Sequence, residues 1–145
     1  MINVCHKCEE RRLKAARARS QRTGRQATLT LNDWLKTIAA FSGKCAYCMT
    51  AEFDTLDHLI PEACPVYGTI AGNCVPACKA CNGSKGPSTP GFWSKRFVGA
   101  RDRIVRVLTE CGFSIPDLRD GGSSFARPRK ECTSNARRDK ETKHG

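Results

Sequence analysis

The sequence contains no long hydrophobic run, and this absence excludes several classes of protein. No stretch approaches the ~20 consecutive apolar residues that a transmembrane helix needs, so we expect no membrane partner. Residues 1–10 also lack the apolar segment of a secretory signal peptide. We therefore expect a cytoplasmic protein whose thiols stay reduced.

Histidines and aromatic residues are also scarce, with three His, two Trp, two Tyr and six Phe in 145 residues. The few aromatic residues form no recognisable stacking platform for single-stranded RNA, and no residue set suited to reading base edges is visible. His6 and His144 lie in polar terminal segments, so His58 is the one imidazole within the apolar part of the sequence. Acid–base chemistry by histidine would therefore use His58.

Positive charge is abundant but unevenly distributed. The formal net charge is +11, with seven basic and two acidic residues in 9–25, eight and four in 119–145, and nine and eight in 26–118. We predict a basic N-terminal arm over 1–28, a folded domain over 29–112 and a basic, disordered tail over 113–145. Such arms favour a polyanionic partner, above all DNA, although solvated tails that increase solubility are the alternative.

Two of the Cys-x-x-Cys pairs have the spacing of a structural zinc site. Cys45 and Cys48 form one pair, Cys78 and Cys81 the other, and 29 residues lie between them. Four thiolates in two such pairs are what a tetrahedral Zn²⁺ site requires, and reduced thiols in a cytosolic protein favour metal over disulfides. Unligated, buried cysteines are the alternative.

The remaining cysteines are less informative. Cys5 and Cys8 form a third Cys-x-x-Cys pair. A metal site at this pair is either incomplete or has its partners elsewhere in the chain; Cys111 and Cys132 are candidates, although these two lack motif spacing. Cys64 and Cys74 are interpreted as packed or free thiols.

The local patterns predict an α+β fold. Residues 30–33, TLND, offer capping side chains ahead of Trp34, Leu35, Ile38 and Phe41, which recur at helical spacing. Residues 53–60 are rich in β-formers and suggest a hairpin, residues 75–84 suggest a short helix, and the apolar residues between Phe92 and Leu108 suggest one last helix.

A longer motif is similar to a known family. Residues 56–61, LDHLIP, and residues 72–86, GNCVPACKACNGSKG, resemble the HNH endonucleases of phage and bacterial genomes. The resemblance spans about residues 29–86. It implies a small ββα-metal core with a structural zinc site of four cysteines, flanked by helices and basic arms, and a chain that acts in a bacterial cell and could be encoded by a phage.

The resemblance also implies roles for four residues. His58 would be the general base that activates water, Asp57 and Asn82 would hold a catalytic Mg²⁺ or Mn²⁺ through oxygen atoms, and Asn73 would orient the loop beside His58. Adjacent residues of a regular strand point to opposite faces, so the strand is expected to be distorted or to end at Asp57 and His58. A structural histidine, a turn aspartate and an ordinary Gly-Asn turn are the respective alternatives.

The basic residues are assigned to the DNA backbone. Lys85 is placed to contact the phosphate next to the cut, with a solvated lysine as the alternative. The N-terminal arginines would hold double-stranded DNA without reading its sequence; they are Arg11, Arg12, Arg17, Arg19, Arg22 and Arg25.

The expected function is metal-dependent hydrolysis of DNA phosphodiester bonds. The alternative is a zinc-ribbon protein that binds or regulates DNA on the same scaffold without cutting it, and a weaker one is a nuclease directed at RNA. A phage packaging protein is an open candidate for a protein partner.

Overall fold

The computed structural model describes residues 3–61 and 67–118. The described ranges contain five helices and one two-stranded sheet, so the predicted mixed α and β fold is confirmed. In chain order the elements are α1 (His6–Arg22), α2 (Leu31–Ala40), β1 (Thr55–His58), β2 (Cys74–Ala77), α3 (Lys79–Lys85), α4 (Pro90–Arg96) and α5 (Ala100–Glu110). None of these helices is long and apolar enough to cross a bilayer. Most of the predicted tail, with Cys132 and His144, lies outside the described residues, as does Cys64.

Helix α1 is packed against the rest of the molecule. Its inner face buries Leu13, Ala16 and Ser20. Glu9, also buried, accepts a hydrogen bond from the Trp34 indole Nε1 at 2.8 Å and pairs with Arg12 at 3.0 Å. Residues on both sides of the predicted boundary at residue 28 therefore share one core. The polar composition of residues 9–25 did not indicate that this segment would be packed.

Helix α2 forms where its cap and apolar spacing predict it. The Thr30 hydroxyl accepts the Asp33 N–H at 3.1 Å, which satisfies a free donor of the first turn. Trp34 and Ile38 lie one turn apart and are fully buried. The chain then reverses at Ser42 and Gly43, which have φ of 57° and 71°.

Strands β1 and β2 pair in antiparallel register, with Asp57 opposite Val75 and His58 opposite Cys74. The predicted helix over residues 75–84 is therefore wrong in its first part, because 75–77 belong to β2. Pro76 explains the difference, since a proline disfavours helical backbone at the residue before it and is tolerated in a sheet edge. The helix starts only after Cys78, whose sulfur caps α3.

The last predicted helix is two helices. The chain leaves helical conformation after Arg96, and Gly99 has φ of 82°, a left-handed conformation that favours glycine. The break lets α4 turn toward the sheet, where the Trp93 indole Nε1 donates to Leu59 O at 3.0 Å.

The core has two parts. One lies around α1 and α2 and includes Leu13, Trp34 and Leu56 of β1. The other lies around the cysteine loops, α4 and α5 and includes Tyr47, Trp93 and Ile104. The connection between the strands packs closely against the segment after α5. Gly72 has φ of 93°, and any other residue there would put its Cβ 2.1 Å from Ser114 O.

Candidate functional site

The structure brings the four predicted zinc ligands together. The Sγ atoms of Cys45, Cys48, Cys78 and Cys81 all lie within 4.8 Å of one another. Zinc bound tetrahedrally at ~2.3 Å needs sulfur atoms roughly 3.8 Å apart. The cluster therefore fits a Zn²⁺ ion with a small inward movement of the thiols.

The backbone around the cluster is pre-shaped for metal binding. The Cys45 sulfur accepts the Tyr47 N–H and the Cys78 sulfur accepts the Cys81 N–H, each at 3.4 Å. Arg103 of α5 supports the first loop by donating to Tyr47 O at 2.7 Å. Such N–H donors stabilise sulfur in its thiolate form, which is the form that binds metal.

Two thiols of the cluster differ in acidity. Burial raises the pKa of Cys48, but hydrogen bonds from Ala51 and Thr50 outweigh this and lower the pKa to about 6. Burial and the neighbouring Cys78 and Cys45 thiols instead raise the pKa of Cys81. Cys48 is therefore the more acidic of the two thiols, and a bound cation would favour loss of the proton from Cys81.

Asp57 is held by a tyrosine and a lysine. Its Oδ2 accepts the Tyr47 hydroxyl at 2.6 Å and pairs with Lys85 Nζ at 3.2 Å. Burial and the Asp57 charge raise the pKa of Tyr47 well above its usual value, so Tyr47 stays protonated and donates. Asp57 lies within β1, and the alternative of a turn aspartate is wrong. Because Tyr47 lies between Cys45 and Cys48, the first cysteine loop also positions this carboxylate.

Lys85 lies inside the site. Its side chain is only 1% exposed, so the alternative of a solvated lysine is wrong. Besides pairing with Asp57, its ammonium donates to His58 O at 3.0 Å. These two contacts fasten α3 to the end of β1, and they bring the helix that carries Asn82 against Asp57 and His58.

His58 is the last residue of β1 and is 8% exposed. Its ring Nε2 lies 3.0 Å from the Thr69 hydroxyl, in the connection between the strands. Asp57 and His58 thus have different side-chain partners, as expected for neighbours on a regular strand. The expected distortion at these two residues is not seen, because β1 stays in regular register with β2 through His58, its last residue.

Asn73 is fully buried and joins the two ends of the connection. Its Oδ1 accepts the Ile60 N–H at 2.9 Å, and its Nδ2 donates to Ile60 O at 3.2 Å and Gly68 O at 3.0 Å. All three are bonds from this one side chain to the backbone. They fix the chain just after His58.

We expect Asn73→Ala to lower the free energy of unfolding by at least about 2 kcal/mol, because it leaves buried backbone groups of Ile60 and Gly68 without their partners. Asn32, an exposed residue of α2, provides the matched control, and Asn32→Ala should change stability by less than about 0.5 kcal/mol. Urea unfolding midpoints measure both. Equal stability of the two variants would mean that these hydrogen bonds do not hold the connection.

Asn82 lies in the first turn of α3 and is half-buried. Its amide oxygen and the Asp57 carboxylate are hard donors of the kind that Mg²⁺ and Mn²⁺ prefer. A carboxylate offers about four acceptor positions, so the contacts with Tyr47 and Lys85 leave capacity on Asp57 for a cation. By donor type, Asp57 and Asn82 therefore suit a hard divalent ion.

Comparison with known proteins gives one informative similarity. No protein-family model matches the chain, and no solved structure matches it. The chain is similar to the CRISPR-associated endonuclease Cas9 of Actinomyces naeslundii, with 31% identity over 104 residues. The aligned part covers 67% of this chain but only 9% of Cas9. The chain thus spans a small fraction of the length of this relative, and the similarity to Cas9 indicates a nuclease only weakly.

The predicted DNA-binding arginines fall into two groups that differ in their exposure to solvent. Arg11, Arg19 and Arg22 are exposed on α1. The half-buried ones donate to backbone carbonyls of this chain, Arg12 to Asp54 O, Arg17 to Leu29 O and Arg25 to Thr23 O. The first group presents charge to solvent, whereas the second also holds α1 and the following turn in place.

The Cys5 and Cys8 pair starts α1. The Cys5 sulfur caps the helix by accepting the Cys8 N–H at 3.3 Å, much as Cys78 caps α3. Within the described ranges, neither Cys5 nor Cys8 belongs to a group of three or more side chains that could hold a metal ion. Cys74 is buried in the core, in line with the prediction of a packed thiol, and Cys111 caps the end of α5.

Tyr47, Thr69 and Ser20 are site residues that the sequence did not reveal. Tyr47 stands within a recognised Cys-x-x-Cys pair, and this was a usable signal. Thr69 and Ser20 are 49 residues apart and have no motif, yet their hydroxyls lie 2.8 Å apart. Only the tertiary structure brings them to His58.

Proposed function

We propose that the chain is a metal-dependent DNA endonuclease of the HNH type. The observation that carries the proposal is the convergence of β1, β2 and α3. Asp57 and His58 are adjacent at the end of β1, and Lys85 joins α3, the helix that also carries Asn82, to Asp57 Oδ2 and His58 O. The four-cysteine cluster lies at the β2–α3 junction and suits one structural zinc ion. The similarity to an endonuclease agrees with this arrangement.

The proposed chemistry assigns one role to each residue. His58 accepts a proton from water, the water oxygen forms a bond to phosphorus, and the bond from phosphorus to the 3′ oxygen breaks. The leaving oxygen takes a proton from solvent, which gives 5′-phosphate and 3′-hydroxyl ends. Asp57 and Asn82 would hold Mg²⁺ or Mn²⁺, which stabilises negative charge on the phosphate oxygens.

Lys85 and the exposed arginines complete the proposal. The predicted phosphate contact of Lys85 would require its ammonium, on a side chain that is 1% exposed, to exchange one of its two partners, Asp57 Oδ2 or His58 O, for a phosphate oxygen. Arg11, Arg19 and Arg22 on the outer face of α1 would neutralise phosphates further along a DNA duplex.

Supercoiled plasmid tests the function directly. Protein that contains one zinc is incubated with plasmid, either with Mg²⁺ or Mn²⁺ or with no added divalent cation. We expect conversion to open-circular or linear DNA only with added metal, and much slower cleavage of a matched RNA. EDTA is avoided in this comparison because it could also remove zinc. Intact plasmid in both metals, with salt-sensitive DNA binding retained, would instead support the non-catalytic zinc-ribbon protein.

A further inference from the structure

We propose that Thr69 is a positioning residue for His58. Its hydroxyl holds His58 in the tautomer with hydrogen on Nε2, so that Nδ1 is the nitrogen that takes the proton from water. The inference rests on the proposed function for its catalytic meaning. Its structural part, the tautomer of His58, can be tested without any nuclease activity.

The Thr69 hydroxyl lies among three partners. His58 Nε2 is 3.0 Å away, Ser20 Oγ is 2.8 Å away, and Ala16 O is 3.1 Å away. Thr69 and Ser20 are both fully buried, so water does not compete for these contacts.

Counting hydrogens indicates which group donates. A hydroxyl has one hydrogen and two lone pairs, and a backbone carbonyl can only accept. With its hydrogen on Ala16 O, the Thr69 oxygen accepts from the Ser20 hydroxyl and from His58 Nε2. In this arrangement all three contacts of Thr69 are hydrogen bonds. The neutral His58 ring then has its hydrogen on Nε2 and its lone pair on Nδ1.

This arrangement suits a general base. When Nδ1 takes a proton, Nε2 keeps its hydrogen and continues to donate to Thr69. No hydroxyl in the network has to turn during the reaction, so the site is organised before proton transfer occurs. Replacing the hydroxyl would leave Nε2 without its acceptor and let the hydrogen move to Nδ1, which would block the base.

The hydrogen bonds of the Thr69 hydroxyl also connect α1 to His58. Both Ser20 and Ala16 are on the buried face of α1, whose outer face carries the exposed arginines. The backbone of Thr69 has hydrogen bonds that do not use its hydroxyl. Its N–H donates to Gln26 O at 2.9 Å and to Ser20 Oγ at 3.1 Å, and its carbonyl accepts the Leu29 N–H at 3.0 Å. A change at the hydroxyl alone therefore leaves the backbone of the connection anchored.

Nitrogen NMR of ¹⁵N-histidine-labelled, zinc-containing protein tests the inference, without DNA or Mg²⁺ and at a pH where the imidazoles are neutral. His58→Ala identifies the His58 signals. We expect Nε2 to be the protonated nitrogen in the wild type and in Thr69→Ser, which keeps the hydroxyl. In Thr69→Val this preference should be lost and kcat should fall about 10–100-fold with little change in KM.

Three outcomes are decisive. A wild-type His58 with its hydrogen on Nδ1 would overturn the inference, and so would a Thr69→Val protein with unchanged tautomer. If Thr69→Val does not fold, Thr69→Ala takes its place, because it also removes the hydroxyl, and it is expected to lose the same preference. A tautomer that depends on Thr69 in a protein without nuclease activity would support the positioning and refute the proposed function instead.

Discussion

Replacing Cys78 with serine is expected to abolish both stoichiometric zinc binding and cooperative unfolding. Structural zinc contributes about 10–16 kcal/mol of apparent binding free energy in small zinc domains, as much as the whole stability of an ordinary domain. Serine at position 78 can still cap α3 by accepting a hydrogen bond, so the substitution isolates the loss of the metal ligand. Zinc content by elemental analysis and thermal unfolding by circular dichroism measure the two effects.

Cys111→Ser is the matched control for this experiment. Cys111 ends α5, is half-buried and is not among the clustered thiols. It should retain one zinc per chain and a melting temperature close to that of the wild type. If Cys78→Ser kept both its zinc and its unfolding transition, the four thiols would not be the metal site.

The zinc cluster is also connected to the residues that we propose for the reaction. Tyr47 lies between two of the ligands and donates to Asp57, while Cys78 caps the helix that carries Asn82 and Lys85. Loss of zinc should therefore displace both predicted holders of the catalytic metal. A zinc-free preparation is expected to lose cleavage along with its stability.

The parts of the fold that sequence predicted best depend on local rules. Helix α2 has a capping threonine and large apolar residues at helical spacing, and both signals act within ten residues. The four cysteines are recognisable because metal ligands must come in closely spaced pairs. Where local signals conflict, as at Pro76, the prediction placed a helix in a strand.

The parts that sequence missed depend on contacts between residues far apart in the chain that have no apolar pattern. Helix α1 buries Ala16 and Ser20, which contribute little to an apolar pattern but let the helix approach the connection between the strands. Lys85 has no apolar signature either, yet its contacts with Asp57 and His58 O offset the cost of burying its charge. Such partners can be recognised only once the fold has brought them together.

His58→Ala is expected to reduce kcat for metal-dependent plasmid cleavage about 10²–10⁴-fold, the usual contribution of a positioned general base. The substitution also removes a buried ring, so zinc content and the melting temperature must be measured on the same preparation. His58→Gln fills more of the space and provides a second, less disruptive variant.

His6→Ala is the control for histidine chemistry in general. His6 is exposed at the start of α1, away from the end of β1, and its loss should leave cleavage unchanged. DNA binding by His58→Ala should also persist, because the exposed arginines of α1 are intact. If the folded, zinc-containing His58→Ala protein cut plasmid at the wild-type rate, another group would have to be the base. Asp57 and Lys85, which face each other beside His58, would then be the residues to replace next.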